Sequence, residues 1–322
     1  MKTWKTIAAG IAVCAAATTA FSQGYPTRSI KLIVPFAPGG STDIIGRLAA
    51  EQLRKELGQP VVVENVGGAA GALGTMNAKN ATPDGYTLLV ATVSTMIVYP
   101  AVQARPQYSF ESFIPITNIA SMPNMLSITP SFPAKDLKEL IAVLKASPGK
   151  YSYASSGVGS INHMLGESFQ AYSGTKLIHV PYKGSGPGMQ DVMTGTVNMI
   201  FDQFPSSKGF IDSGQMRGIG AISPQKIPGY PNIMTMEEAG MKGFTDEAWY
   251  GLLAPLGTPR EVVAKVTDAI QKALKSPELR AQLEKVGARP VGNTPAEFAA
   301  QIKREQERMK KLVKERGIQL QD

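Results

Sequence analysis

The chain has 322 residues, of which 43% are apolar and 18% charged, and a formal net charge of +8. That length suits two ordinary domains or one large one, and the composition excludes a disordered or low-complexity chain. The basic balance can steer anionic ligands but is too dispersed for a nucleic-acid surface; its densest run, Lys303 to Arg316, alternates with Glu, Gln and Met as a solvated helix face does.

Lys2 and Lys5 precede an uncharged apolar run, Ile7 to Ala20, followed by "AFSQG". Ala20 and Ser22 fit the small-residue positions of a cleavage site. The pattern predicts a Sec-type signal peptide over residues 1–22 and a periplasmic destination. The run is too short for a comfortable membrane anchor. Cys14, the only cysteine, lies inside it and follows Val13, where a lipoprotein signal has a small residue. The mature chain therefore has no disulfide and no Cys-ligated metal.

Strands and helices then alternate. "SIKLIVPF" (Ser29 to Phe36) reads as a strand, and a helix with Ile45, Leu48, Ala49, Leu53 and Leu57 on one face stops at Gly58. "PVVVEN" (Pro60 to Asn65) is the next strand. The cluster "VGGAAGALG" precedes a short helix, and "TPDGYTLLVAT" (Thr82 to Thr92) gives a turn and a third strand. The middle of the chain repeats this grammar. A helix over Asp136 to Ala146 leads to the strand "YSYAS", the loop "SGVGS" and a helix through "INHMLGESFQAY". The strand "KLIHVPY", the loop "KGSGPG", a short helix and the strand "TVNMIFD" follow. Such alternation implies parallel sheet in a three-layer α/β architecture.

The last third is helical. Thr258-Pro-Arg-Glu261 and Thr294-Pro-Ala-Glu297 read as capping boxes, Ser276-Pro277 as a third helix start, and "ARPVG" as a strand. The apolar "EAWYGLLAP" (Glu247 to Pro255) is strand-like and would return the chain from a second domain to the first. "NIASMPNMLSI" (Asn118 to Ile128) would be the outward crossing. The expected division is residues 23–124 and 247–322 for the first domain and 125–246 for the second. Trp249 would be the only tryptophan left after signal removal, near the returning crossover.

No P-loop motif occurs, and "SGVGSIN" lacks the third glycine of a dinucleotide fingerprint. No G-x-S-x-G elbow exists. His163 stands one helical turn from Ser160, which suits a helix-start hydrogen bond better than a catalytic pair. His179 lies in an apolar strand as a core or cleft residue. Two histidines without cysteine argue against a metal site, and no cofactor is expected. What remains suits binding. Both halves carry strand, small Gly/Ser loop and helix, and each loop would aim backbone N–H groups and a positive helix end into a cleft. Two facing loops of this kind would hold a molecule with a carboxylate at each end. Gly40 would be needed because a side chain there would crowd the ligand and strain the loop.

The segments "YPTRSIKLIVPFAPGGSTDIIGRLAAEQL", "VVVENVGGAAGALGTMNAKNATPDGYTLL", "YSYASSGVGSINHMLGESF", "HVPYKGSGPGMQDVMTGTVNMIFDQFPSS" and "WYGLLAPLGTPREVVAKV" resemble the Bug (TctC-like) receptors of tripartite tricarboxylate transporters. The resemblance runs in order along the whole mature chain. It implies a type II periplasmic-binding-protein fold, two three-layer α/β domains joined by crossover strands, that closes on a small carboxylate like a flytrap. It implies a non-enzyme that delivers its solute to transporter membrane subunits, as a monomer with no nucleic-acid partner. Carried over residue by residue, the first binding loop is Phe36, Pro38, Gly39, Gly40, Ser41 and Asp43. The second is Ser155, Ser156, Gly157, Gly159 and Ser160, with His163 behind it. Tyr182, Lys183 and Gly184 come from "HVPYKG", Asp202 from "FD", and Thr92 to Ser94 from the third strand's end. Two departures bear on the pocket: "AISPQKIPGYP" lacks an arginine often found before the proline, and "DQFPSS" replaces the usual Asp-Asn run. For Asp43 the favoured role is to neutralise the helix start and fix the loop; the alternative is to accept from a ligand amine, hydroxyl or bridging water. A sensor that docks on a receptor kinase, and a secreted hydrolase using Ser160 and His163, are the competing readings.

Overall fold

Strand β1 (Ile30–Val34) divides its buried side chains between two cores. Ile30, Leu32 and Val34 enter one hydrophobic cluster and Ile33 the other, as a period of two requires. Leu88 and Val90 against Leu89 and Ala91 of β3 (Thr87–Thr92) divide the same way. The sheet is thus covered on both faces. The computed structural model describes residues 24–316, so the signal peptide expected over residues 1–22 lies outside the described residues. No helix among the described residues is long and apolar enough to cross a membrane.

Helix α1 (Ser41–Leu57) buries Ile45, Ala49 and Leu53 and ends where Gly58 turns left-handed, with a φ of 70°. Strand β2 (Val61–Asn65), a 3-10 turn at Ala69–Gly71, helix α2 (Ala72–Lys79) and β3 complete the opening unit. A π-helical segment (Ser94–Val98) and the short α3 (Tyr99–Val102) follow. The long strand β4 (Phe113–Ile128) then leaves this first lobe. The second lobe contains α4 (Leu137–Ala146), β5 (Ser152–Ser155), α5 (Ile161–Ser173), β6 (Ile178–Pro181), α6 (Ser185–Thr194), β7 (Met199–Gln203), α7 (Phe204–Asp212) and β8 (Arg217–Ile222). Strand β9 (Glu247–Pro255) returns to the first lobe, which α8 (Arg260–Lys275), α9 (Pro277–Lys285), β10 (Arg289–Pro290) and α10 (Pro295–Arg316) finish.

Strand order is β2-β1-β3-β9-β4-β7-β5-β6, with β8 and β10 also pairing β4. Up to Pro123, β4 pairs with β9; from Asn124 it pairs with β7 and β8. One strand therefore belongs to both sheets. The sheets are parallel within β2-β1-β3 and β7-β5-β6, as the alternation implied, but mixed overall. The crossing strands β4 and β9 join antiparallel, because neither is reached by a crossover helix from its neighbour.

Several local expectations need correction. The Thr258 box does not form: α8 starts at Arg260, and the Thr258 hydroxyl turns back to donate to the Pro255 carbonyl at 2.8 Å. Thr294 does cap, exchanging bonds with Glu297 at 2.8 and 3.2 Å, and Ser276 accepts from the Leu279 N–H at 3.2 Å. "KGSGPG" is only partly loop, since α6 already begins at Ser185; Pro187, with its fixed φ, suits a first helical turn. Strand β8 was not foreseen. A Cβ on its Gly218 or Gly220 would press within 2.8 Å of Ile233 or Met236, so they are packing glycines inside a sheet.

Helix α10 buries Phe298 and Ile302 completely. Phe298 stands edge-on to Trp249 of β9, with centroids 5.1 Å apart, and the Trp249 indole N–H donates to Glu305 at 2.7 Å. Between them Gly251 has no room: a Cβ would lie 2.2 Å from Phe298 and 3.0 Å from the Thr117 carbonyl. Gly251→Val is therefore expected to destabilise the protein by about 3 kcal/mol, at the upper end for overpacking. Urea unfolding measures this, and a stability equal to wild type would mean that α10 does not press on β9.

Candidate functional site

The first-lobe loop runs from Pro35 to Gly40, between β1 and α1. Gly39 has a φ of +87°, which favours glycine. Gly40 does not: its φ is −84°, open to any residue. What crowds a side chain at Gly40 is the other lobe: a Cβ would stand 3.0 Å from Ser185 Oγ, which would have to shift by a few tenths of an ångström. Behind the loop, Asp43 accepts from the Gly39 N–H (3.1 Å), Arg47 Nε (3.0 Å) and Asn65 Nδ2 (2.9 Å). Burial pushes its pKa up, but the bonds from Arg47, Asn65 and Gly39 outweigh it and hold the carboxyl below its usual value. Asp43 braces the loop from within.

The second-lobe loop runs from Ser156 to Gly159, between β5 and the α5 N-cap Ser160. Gly157 and Gly159 have φ values of +122° and +83°. Ser160 Oγ accepts from the His163 N–H at 3.2 Å, a capping bond rather than a link to the imidazole. His163 Nδ1 instead accepts from the Gly159 N–H at 3.2 Å. Its ring stacks on His179 at 4.0 Å, and His179 Nε2 meets Ser155 Oγ at 2.6 Å. Ser155 Oγ also accepts from the Gly157 N–H at 3.1 Å. Two imidazoles thus hold the loop's amides from behind. Burial lowers the pKa of His163, opposed by Glu167; burial and then His163 lower that of His179 to about 4.

Asp202, at the end of β7, is fully buried. It accepts from Asn162 Nδ2 at 2.7 Å and Ser206 Oγ at 2.5 Å, and the nearby Ser185 hydroxyl and Gln203 N–H favour its charged form. Burial raises its pKa against those bonds. Asp202 stands behind the starts of α5, α6 and α7 rather than at a surface.

The lobes meet along these loops. The Ala37 N–H donates to the Lys183 carbonyl at 3.1 Å. Ser41 Oγ accepts from the Ser206 N–H at 2.9 Å, and Ser94 Oγ accepts from the Ile161 N–H at 3.0 Å. The seam is bare backbone: a Cβ on Gly186 would fall 2.1 Å from the Pro38 carbonyl oxygen, and one on Gly157 would fall 3.1 Å from the Ala70 nitrogen.

Between the lobes lies a narrow cavity of about 10 Å³. Four helices start at its wall, presenting Thr42 of α1, Ile161 and Asn162 of α5, Ser185 of α6, and Gln203 at the N-cap of α7. Strand β3 ends there with Thr92, and Ala248, Trp249 and Tyr250 of β9 line it too. None of the lining residues carries a formal charge.

Of the expected site residues, Phe36, Thr92, Ser94 and Ser156 line this cavity. Ser41, Pro38, Gly39, Gly40, Gly157 and Gly184 lie at the seam. Lys183 joins them only through its carbonyl, its side chain being exposed. Ser155, Ser160, His163, Asp43 and Asp202 support the loops from behind, and Gly159 is the loop residue whose N–H His163 holds. Tyr182 turns away, and its hydroxyl donates to Asp191 at 2.5 Å. The sequence reading missed Thr42, Asn162, Ser185, Gln203 and Tyr250. One signal was available: "QFP" places proline in the first turn of a helix, so Gln203 could have been read as an N-cap.

The depressed His179 pKa has a consequence for stability. Between about 4 and the unperturbed 6.5 the unfolded chain binds more protons than the folded one, so this contribution is lost as pH falls through that window. The urea-midpoint gap between wild type and His179→Gln should shrink on going from about pH 7 to pH 4.5. A gap independent of pH would mean that His179 is not held neutral in the fold.

The sequence profile described as "Tripartite tricarboxylate transporter family receptor" (TctC) matches residues 45–318. The chain is 35% identical to protein BugT of Bordetella pertussis over 314 residues, covering 97% of this chain and 95% of that one. A solved structure described as a periplasmic transporter is similar at a TM-score of 0.89 and 47% identity, covering 92% of this chain and all of the other. An R. palustris protein solved with adipate is similar at a TM-score of 0.88 and 32% identity, covering 92% of this chain and 99% of its own. A profile match over most of the chain, and relatives aligned along nearly all of it, establish that this chain belongs to the TctC (Bug-type) receptor family of tripartite tricarboxylate transporters.

Proposed function

We propose that this chain is a periplasmic receptor that captures a small dicarboxylate between its lobes and delivers it to the membrane subunits of a tripartite tricarboxylate transporter. One observation carries the reading: four helix N-termini surround a cavity with no charged side chain on its wall. Each helix start leaves backbone N–H groups without intrahelical partners and carries roughly half a positive charge. Together they favour an anion without any lysine or arginine in contact. Helix starts from both lobes suit one carboxylate at each end of the ligand. Phe36, Val93 and Trp249 offer apolar surface for a short hydrocarbon spacer. The adipate in the R. palustris relative supports this ligand class. The glycine seam lets the lobes approach until Ser41 and Ser94 can cap helices of the opposite lobe.

Calorimetry with adipate and shorter dicarboxylates tests the reading. A ligand at about one hundred times its Kd should add roughly 2.7 kcal/mol of stability, readable as a raised Tm. Trp249 lines the cavity, so its fluorescence should change on saturation. Gly186→Val removes the close approach without touching either core. It should keep the wild-type circular dichroism yet bind at least about tenfold more weakly, equivalent to about 1.4 kcal/mol. Wild-type affinity in Gly186→Val would show that binding does not need the lobes in contact.

A further inference from the structure

His163 stands in the first turn of α5, where a reciprocal helix cap usually carries glutamate or glutamine. Ser160 Oγ accepts from the His163 N–H, and His163 Nδ1 reaches back to accept from the Gly159 N–H at 3.2 Å. A backbone N–H only donates, so Nδ1 is the unprotonated ring nitrogen and the proton of the neutral ring sits on Nε2. Nε2 faces Glu167 at 3.8 Å. The loop held in this way carries Ser156 on the cavity wall and Gly157 at the seam.

The imidazole has an electrostatic reason. A carboxylate at this position would make the same bond but set a negative charge at a helix start that faces the cavity. Helix α5 carries no acid in its first turn, whereas α4, which does not line the cavity, has Asp136 at its N-cap and Glu139 in its first turn. A neutral ring holds Gly159 and leaves the positive end of α5 free to attract an anion. Protonation would undo this, because an imidazolium carries N–H on both nitrogens and Nδ1–H would then face the Gly159 N–H, donor against donor. The titratable groups around the ring are Glu167 on α5 itself, Tyr153 of β5 and His179 of β6. Glu167 is held by the Tyr153 hydroxyl at 2.7 Å and Gln170 Nε2 at 2.9 Å, and His179 stacks on His163 at 4.0 Å. Burial favours the neutral ring and Glu167 the charged one, burial having the larger effect.

We propose that His163 is a positioning residue of this receptor: as a neutral acceptor it holds the second binding loop in shape for the ligand, and its protonation loosens that loop. The receptor therefore weakens in acid by more than the ligand's own titration explains. The proposal rests on the dicarboxylate reading above and adds regulation to the same site.

The test compares three substitutions in the mature protein. His163→Leu removes the acceptor. His163→Asn puts Oδ1 where Nδ1 stands, a neutral acceptor that does not titrate. His163→Asp keeps the acceptor and adds a negative charge. Calorimetry at about pH 7 uses whichever of adipate, glutarate and succinate binds the wild type. His163→Leu should keep the wild-type circular dichroism and bind at least about tenfold more weakly; His163→Asn should recover most of that loss and His163→Asp should not. Between about pH 7 and pH 4.5 the wild-type affinity should fall at least about threefold relative to His163→Asn, a ratio in which the ligand's own protonation cancels. An unchanged ratio, or wild-type affinity in His163→Leu, overturns the inference and leaves the dicarboxylate reading standing. If His163→Leu does not fold, the contrast between His163→Asn and His163→Asp decides in its place, and equal affinities overturn the inference. Amide NMR of the ligand-free protein is an independent measure: the Gly159 N–H shift should follow the titration of the His163 ring in wild type and stay flat in His163→Asn. A Gly159 shift that ignores the titrating ring overturns the inference. If none of these acids binds, the dicarboxylate reading falls, and the amide titration alone decides whether His163 holds the loop.

Discussion

Asp202 has no contact with solvent, and its two oxygens draw donors from the first turns of separate helices. Asn162 belongs to α5, Ser185 to α6, Ser206 to α7. Each of these helices would otherwise point its positive end at its neighbours with nothing to hold them together. The buried carboxyl ties the starts of α5 and α7 together beside the cavity wall. The wall of the second lobe, the cap that Ser41 provides across the seam and the absence of charged lining residues all depend on this arrangement. A lysine or arginine at the wall would bind an anion too, but as a mobile point charge with a desolvation cost. Helix starts locked from behind are already oriented.

The seam shows a related economy. Ser41 and Ser94 lie in the first lobe, yet their hydroxyls satisfy N–H groups that begin helices of the second. In one-lobe proteins a helix start is capped by its own N-cap residue or by water. Here the capping hydroxyls come from the opposite lobe. Glycines at positions 39, 157 and 186 allow the two backbones to lie that close.

Much of the fold was legible because local signals and tertiary demands agree. The β1 strand, the Gly58 stop, the Ser276 and Thr294 caps and the strand over Glu247 to Pro255 were all visible as patterns. Thr258 misled because its hydroxyl had two possible partners, and the end of β9 won. Strand β8 was invisible because its glycines carry meaning only against Ile233 and Met236. The same distinction runs through the site. Phe36, Ser94 and Ser156 were reachable through the resemblance to the Bug receptors. Thr42, Asn162, Gln203 and Tyr250 were not, since ordinary polar residues become cavity wall only when distant helix starts are gathered at one place.

Strand β4 serves two sheets, and β9 lies between β3 and β4 in the first of them. The residues of the second lobe all come between β4 and β9 in the chain. During synthesis or translocation, the second lobe is therefore the earlier of the two to be complete. The first keeps an open edge on β3 until β9 emerges, and its long-range pairing makes it the slower part to assemble. That exposed edge is a point at which a partly folded chain could pair with another copy. Neither half can be excised cleanly, because a cut on either side of β4 strips a central strand from one sheet. In this topology the two lobes are separate as binding surfaces but indivisible as folding units.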